Sequence, residues 1–212
     1  MKIYSFFRSG TSHRLRIALN LKGLDAEYVG IDLRREEHLA PSFQAVNPQQ
    51  LVPALAVGRR TLIQSPAILE WLEETWPEPA LLPSDPFDRT HVRALAAMIG
   101  CDVHPINNRR ILERLRSQFG ADDAAVDAWC QTWIDAGFEA YEQMLARDAT
   151  RRGFSFGGSP TLADVYLIPQ VNSARRFKVD LSRYPLILEV EANCAKLDAF
   201  RRAEPAAQPD AG

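Results

Sequence analysis

The sequence predicts an α/β domain followed by an all-α domain, and three observations predict it. Strand-like runs rich in Ile, Tyr, Val and Phe occur only before about residue 64. Four prolines, Pro77, Pro79, Pro83 and Pro86, close that region, and beyond them the apolar spacing is helical throughout. The domains are therefore placed at 1–80 and 87–212, with the proline-rich segment as the boundary.

Residues 2–6 alternate and are rich in Ile, Tyr and Phe, a short strand that ends at the polar turn Arg8-Ser9-Gly10-Thr11. Thr11 or Ser12 is placed to cap the helix that follows. Leu15, Ile17, Ala18 and Leu21 form its apolar side, and Gly23 stops it. Tyr28-Val29-Gly30-Ile31 resumes strand character, which makes the opening a β-α-β unit with a right-handed crossover. A polar, partly helical segment then runs through Phe43 and Val46 to Asn47-Pro48. Residues 51–57 and Thr61-Leu62-Ile63, separated by Gly58-Arg59-Arg60, read as a hairpin. Ser65-Pro66 opens a helix, with Ser at the cap and Pro at the first helical position, continued by Ile68-Leu69-Glu70-Trp71-Leu72. The order is βαβαββα, a small mixed sheet with helices on its faces.

In the second domain a long helical segment runs from about Phe87 through Leu115 and carries His104 to Arg110. Others run from about Ala124 to Leu145, from Thr161, and from Pro185. Thr161-Leu162-Ala163-Asp164 has capping-box spacing with Asp in place of Glu or Gln, which gives Asp164 a folding role at a buried helix start. Trp71, Trp76, Trp129 and Trp133 are placed in the core or at a dimer interface. The stretch 204–212, with two prolines, small residues and no apolar anchor, is expected to fray.

The 212 residues are 46% hydrophobic and 25% charged, as in ordinary globular proteins, so disorder and a membrane span have no compositional basis. A net charge of -2 lacks the electrostatic footprint of a nucleic-acid or membrane-surface binder. Three cysteines, Cys101, Cys130 and Cys194, are odd in number, widely spaced and without ligand spacing, which disfavours a metal site or a disulfide framework. The apolar stretch before Arg8 is too short for a signal peptide, so the cytoplasm is expected.

Chemistry concentrates at the turn 8–12. A helix N-terminus offers unpaired N–H groups and a positive dipole end, which favour a thiolate, and the hydroxyls of Ser9, Thr11 and Ser12 can hydrogen-bond to the anion. No cysteine lies near, so a sulfur acting there must arrive on a cofactor. On the other reading, the hydroxyls cap a helix and do nothing more.

Several stretches occur together and in order: 7–19 (Phe-Arg-Ser-Gly-Thr-Ser-His-Arg-Leu-Arg-Ile-Ala-Leu), Asn47-Pro48, Val52-Pro53, Gln64-Ser65, and 176–181 (Arg-Phe-Lys-Val-Asp-Leu). Through these stretches, and along essentially its whole length, the chain resembles the zeta class of glutathione transferases. The resemblance implies a thioredoxin-like N-terminal domain, a helical C-terminal domain, a homodimer, and reduced glutathione as cofactor with no metal. It also implies cis-trans isomerisation of a small diacid, maleylpyruvate or maleylacetoacetate. In that reaction a thiolate adds to the cis-alkene, the resulting single bond rotates, and elimination releases the trans isomer. The family's usual Ser-Ser-Cys is here Ser9-Gly10-Thr11, so Ser9 matches the thiolate-stabilising serine while Thr11 stands where the family has cysteine.

By the same resemblance, Val52 and Pro53 would meet the glutathione cysteinyl group through a cis-proline edge, unless Pro53 merely starts an edge strand. Gln64 and Ser65 would hold the γ-glutamyl carboxylate, unless Ser65 is only a cap. Gln49, His104, Asn108 and Arg109 would be further cofactor contacts. Two carboxylates and a developing enolate call for arginine, whose planar fork pairs bidentately with carboxylate. Arg8 and Arg176 match family arginines. Arg109 and Arg110 stand where relatives acting on maleylacetoacetate tend to carry uncharged residues, which points Arg110 at the diacid and favours conversion of maleylpyruvate to fumarylpyruvate in gentisate-type aromatic degradation. The alternatives are the maleylacetoacetate isomerase step of homogentisate degradation, a conjugating transferase or dehalogenase that consumes glutathione, and a non-catalytic binding protein on the same fold.

Overall fold

A computed structural model describes residues 1–211; Gly212, the last residue of both the expected second domain and the expected frayed stretch, lies outside them. The chain divides into two compact units, one made of Met1–Leu81 with Ala195–Gly212 and the other of Leu82–Cys194. The division differs from the expected 87–212 at its far end, where the chain rejoins the first unit.

In the first unit, β1 (Lys2–Ser5), α1 (Gly10–Leu21), β2 (Glu27–Gly30), α2 (Pro41–Gln44), β3 (Ala54–Val57), β4 (Arg60–Ile63) and α3 (Ser65–Thr75) follow the expected order, with two 3-10 turns before α2. The sheet runs β2-β1-β3-β4, with β1 parallel to β2 and antiparallel to β3, and β3 antiparallel to β4. Tyr4 pairs with Val29 on one side and Ala54 on the other, so β1 is central and its end delivers the chain to the turn at 6–9. Residues Ser12 to Leu19 of α1 are all buried, because the helix packs against both α3 and α9 (Asp198–Arg201).

Within the stretch expected to fray, Asp210 accepts from Phe7 N at 3.0 Å and from the Tyr28 hydroxyl at 2.7 Å, and the residues just before that stretch are anchored too. Asn20 Nδ2 donates to Ala199 O at 2.9 Å and Arg16 Nε to Ala203 O at 3.0 Å, while Phe200 and Ala203 are buried. Apart from Phe200, these anchors are polar groups and the small residue Ala203, which hydropathy could not show. A second buried polar lock joins α1 to α3. Lys22 Nζ pairs with Glu73 at 2.8 Å and donates to Trp76 O at 2.6 Å and Pro79 O at 3.0 Å, and Leu81 N donates to the Glu73 carboxylate. Breaking such a pair leaves an uncompensated buried charge, a cost of about 3–5 kcal/mol.

In the second unit α4 (Pro86–Ala97) is capped by Asp85, which accepts from Phe87 N and Asp88 N, and runs into a π-helical turn, Met98–Val103. The single long segment expected through Leu115 is therefore interrupted. Pro105 has no N–H to continue the ladder, and Asn108 caps a new helix, α5 (Arg109–Phe119), which ends at Gly120. Glycines explain why the turn sits there. A Cβ on Gly100 would lie 2.7 Å from Tyr166 Cε1, and one on Gly137 would lie 2.3 Å from Val103 Cγ2. Their absence lets α7 (Leu162–Arg176) and α6 (Asp123–Arg147) close on the π turn. The unit ends with α8 (Pro185–Cys194).

Asp164 is fully buried at the start of α7 and accepts from Thr161 N (2.7 Å), the Thr161 hydroxyl (3.0 Å) and Ser155 N (2.8 Å), the folding role expected of it. Among the described residues no helix is long and apolar enough to cross a membrane, and no group of three or more His, Cys, Asp or Glu could hold a metal ion.

Candidate active site

Between β1 and α1 the chain turns sharply. Ser9 N donates to Phe6 O at 3.0 Å, and Ser9 is itself the cap of α1, its Oγ accepting from Ser12 N at 3.3 Å. The cap therefore lies two residues before Thr11 and three before Ser12, the two residues expected from the sequence, because Gly10 already has helical geometry. Thr11 Oγ1 lies 2.9 Å from Ser9 Oγ and donates to Val52 O, also at 2.9 Å. A hydroxyl has one proton and a carbonyl can only accept, so the Thr11 proton belongs to Val52 and Ser9 is the donor of the shared contact.

The Val52-Pro53 peptide is cis, and both residues are buried. Asn47 shapes the loop before it, with Nδ2 donating to Leu51 O (2.7 Å) and Oδ1 accepting from Gln49 N (3.0 Å). Gln64 occupies the cap position of α3 at φ 68°, a conformation uncommon for a side-chain-bearing residue. Its Nε2 donates to Gln49 Oε1 at 2.6 Å, so two predicted cofactor residues meet on the surface. Ser65 is the first residue of α3 rather than its cap. It is buried, and its Oγ has no partner. An orphan hydroxyl at a helix start, beside unpaired N–H groups, fits a carboxylate. The start of α1, with the Ser9 proton in reach, fits a thiolate. These residues thus fit a cofactor carrying both groups.

Neither the first unit nor this turn offers a thiol among the described residues. All three cysteines lie in the second unit, where burial pushes the Cys130 thiol up to about 11 and raises Cys194 as well, which leaves both as inert thiols. His13, one turn into α1, is held down at about 3 by burial and by Arg16 beside it, and stays neutral.

Of the predicted anion ligands, Arg8 is exposed and adjoins Ser9. In the second unit Asn108 Oδ1 accepts from Arg110 N at 3.2 Å, Arg109 pairs with Glu113, and the Arg110 side chain is exposed in the first turn of α5. His104 is half-buried, its N–H donating to Ile99 O. Arg176 lies at the end of α7 over the Phe177 ring at 4.7 Å and donates to Ser173 Oγ at 3.3 Å. Two arginines in the first turn of α5 face that helix's own positive end; the pair with Glu113 gives Arg109 a helix-stabilising role, whereas helix stability gives no reason for Arg110. The structure joins Ser9 with Thr11 and Val52, Gln49 with Gln64, and Asn108 with Arg110.

Two residues escaped sequence reasoning. Arg16 is buried among the apolar residues of α1 and donates to Phe6 O, Phe7 O, Ser5 Oγ and Ala203 O. A charge inside the run Leu15 to Leu19 was the visible sign of it. Asp210 accepts from Phe7 N, and nothing local marked it.

Comparison with known proteins follows the same division of the chain. Residues 8–75 match the family model for the glutathione S-transferase N-terminal domain, and residues 123–192 that for the C-terminal domain. The chain is 68% identical to a maleylpyruvate isomerase from Ralstonia sp over 99% of both chains. It is 48% identical to a maleylacetoacetate isomerase from Pseudomonas aeruginosa, over 99% of this chain and 98% of that one. Among solved structures it is similar to the holo structure of maleyl pyruvate isomerase, described as a bacterial glutathione S-transferase of the zeta class. That match has a TM-score of 0.99 and 67% identity, and covers 100% of both chains.

Proposed function

This chain belongs to the zeta class of the glutathione S-transferase family, and from that premise we propose that it is a glutathione-dependent cis-trans isomerase converting maleylpyruvate to fumarylpyruvate. The observation that carries the choice of substrate is the 68% identity to a maleylpyruvate isomerase, against 48% to a maleylacetoacetate isomerase. Full coverage of both chains means that no part of the fold is left outside the comparison.

When bound, glutathione supplies a thiolate nucleophile that is regenerated at the end of each turnover. The protein's part is to hold that sulfur as an anion and to neutralise the diacid. The start of α1 presents its unpaired N–H groups, and Ser9 can turn its proton outward by giving up only its contact with Thr11. Thr11 stays on Val52 O and keeps the loop before Pro53 against the helix start. The Ser65 hydroxyl and the N–H groups opening α3 receive the γ-glutamyl carboxylate, with Gln49 and Gln64 beside them. Arg8, Arg110 and Arg176 receive the substrate carboxylates and oppose the negative charge that develops between them. His104, Asn108 and Arg109 are assigned to the cofactor. The enzyme acts as a cytoplasmic homodimer.

The test is turnover. Purified protein given maleylpyruvate with catalytic reduced glutathione should consume the cis chromophore without consuming glutathione. Preference for maleylacetoacetate would move the enzyme to the other isomerase class, and accumulation of conjugate would make it a transferase. No turnover of either cis diacid sinks the isomerase reading.

A further inference from the structure

Residues 6 and 7 carry four backbone polar groups, and side chains from three places hold them. Phe6 N donates to Ser12 Oγ (3.5 Å), and Phe6 O accepts from Ser9 N (3.0 Å) and Arg16 Nη1 (3.5 Å). Phe7 O accepts from Arg16 Nη2 (3.0 Å), and Phe7 N donates to Asp210 Oδ2 (3.0 Å). The other oxygen of Asp210 accepts from the Tyr28 hydroxyl at 2.7 Å, so both carboxylate oxygens are occupied and the side chain has one geometry. Next to it, Ala211 packs on the apolar cluster of Phe6, Phe7, Ile31, Phe43 and Val52, which also contains the residue whose carbonyl receives Thr11. Asp210 is 203 residues from Phe7 in sequence, yet it grips the peptide that leads directly into Arg8 and Ser9.

We infer that Asp210 is a positioning residue for the catalytic turn. Its carboxylate fixes the Phe7 peptide so that Arg8 and Ser9 stand in register with the start of α1. The inference rests on the roles just assigned to Arg8 and Ser9. The physical reasoning is local. A peptide N–H that faces no ladder partner can rotate unless something holds it, and a charged acceptor holds it about twice as strongly as a neutral one. Arg16 holds the carbonyl of the same residue, and its buried positive charge needs the negative one of Asp210 nearby. The Phe7 residue is thereby clamped from both ends, and rotation there would swing Ser9 Oγ and the Arg8 side chain, where a displacement of 1 Å costs about 10²-fold in rate.

The experiment compares the full-length chain with Asp210→Ala, Asp210→Asn and Tyr28→Phe. Amide hydrogen exchange of residues 6–12 without ligand is expected to rise about tenfold or more in Asp210→Ala. A smaller rise is expected in Asp210→Asn, which keeps one accepting oxygen, and little change in Tyr28→Phe, which leaves the Phe7 bond in place. In the same order kcat for the diacid should fall about tenfold or more, then a few-fold, while the KM for glutathione changes less than about threefold, and the thiol pKa of bound glutathione should rise. Should Asp210→Ala not fold, Asp210→Asn carries the same readouts. Unchanged exchange at 6–12 in the aspartate variants, or a rise spread evenly over the first unit, overturns the inference. Absence of turnover in the unmutated chain overturns the isomerase reading instead, and the exchange result still decides the role of Asp210.

Discussion

Replacing Ser9 by alanine and, separately, Thr11 by valine divides two roles that the hydroxyl pair leaves joined. Both of Thr11's hydroxyl contacts, to Val52 O and to Ser9 Oγ, are 2.9 Å long. Turning the Thr11 proton to a sulfur would strand the Val52 carbonyl, at a cost of about 1–3 kcal/mol. Turning the Ser9 proton gives up one neutral hydrogen bond worth about 1 kcal/mol, and the thiolate more than replaces it because charged acceptors bind about twice as strongly. On the proposed function Ser9 is therefore expected to be the donor to sulfur and Thr11 its support. Ser9→Ala should lower kcat about 10²–10³-fold, the size seen when one oxyanion donor is removed, and raise the thiol pKa of bound glutathione. It also costs the α1 cap about 1 kcal/mol. Thr11→Val should instead lower stability by about 1–3 kcal/mol, with kcat reduced only a few-fold. In a chain of this size each kcal/mol moves Tm by about 2–4 °C. The assays are a pH titration of the ultraviolet thiolate band in the binary complex, turnover, and a thermal melt. A thiolate band lost in Thr11→Val but kept in Ser9→Ala would refute the proton assignment.

Arg110→Ala should raise the KM for the diacid about tenfold while leaving glutathione affinity within about twofold; equal loss of both affinities would mean that the residue shapes the start of α5. Asp164→Ala strands two buried N–H groups and a hydroxyl, so stability should fall by roughly 3 kcal/mol or more, seen as about 6–12 °C in Tm; an unchanged Tm would remove Asp164 from the folding of α7. His13, held down at about 3 against an ordinary 6.5, takes up its proton in the unfolded chain first. Stability is therefore full above about pH 6.5 and falls as the pH drops from there toward 3, by up to about 1.4 kcal/mol per unit, and His13→Gln should flatten the fall in Tm between about pH 6.5 and 5.

The sequence carried the order βαβαββα because each of its elements has a local cause: Ile3 and Tyr4 in a strand, Ser65-Pro66 at a helix start, Gly23 at a helix end. It carried the turn that forms the candidate site for the same reason, since Arg8, Ser9 and Thr11 are consecutive or nearly so. The π turn at Met98–Val103 was not legible, because its cause is the approach of Tyr166 to Gly100 and of Gly137 to Val103, contacts across 66 and 34 positions. A lone glycine in a helical run shows only a weakness of propensity until the neighbour that needs its missing Cβ is known.

The expectation that 204–212 frays failed over its described residues, 204–211, for a related reason, and the failure bears on how the candidate site is held. Hydropathy reads a stretch of alanine, proline and glutamate as unanchored, because it counts only the area that the stretch itself can bury. Here the anchors are supplied by the other side: Arg16 and Asn20 reach out of α1 to the carbonyls of Ala203 and Ala199, and Phe7 offers a backbone N–H to Asp210. The returning segment brings Arg16 an acceptor and a negative charge, beside the acceptors it finds at Ser5, Phe6 and Phe7, and Arg16 in turn is one of the groups that hold the segment. Each half looks anomalous alone, a charge in an apolar run and a polar tail with no anchor. Two such anomalies in one chain, of opposite sign, are a pairing that sequence reasoning can propose, and in this protein the pairing meets at the peptide that sets Ser9.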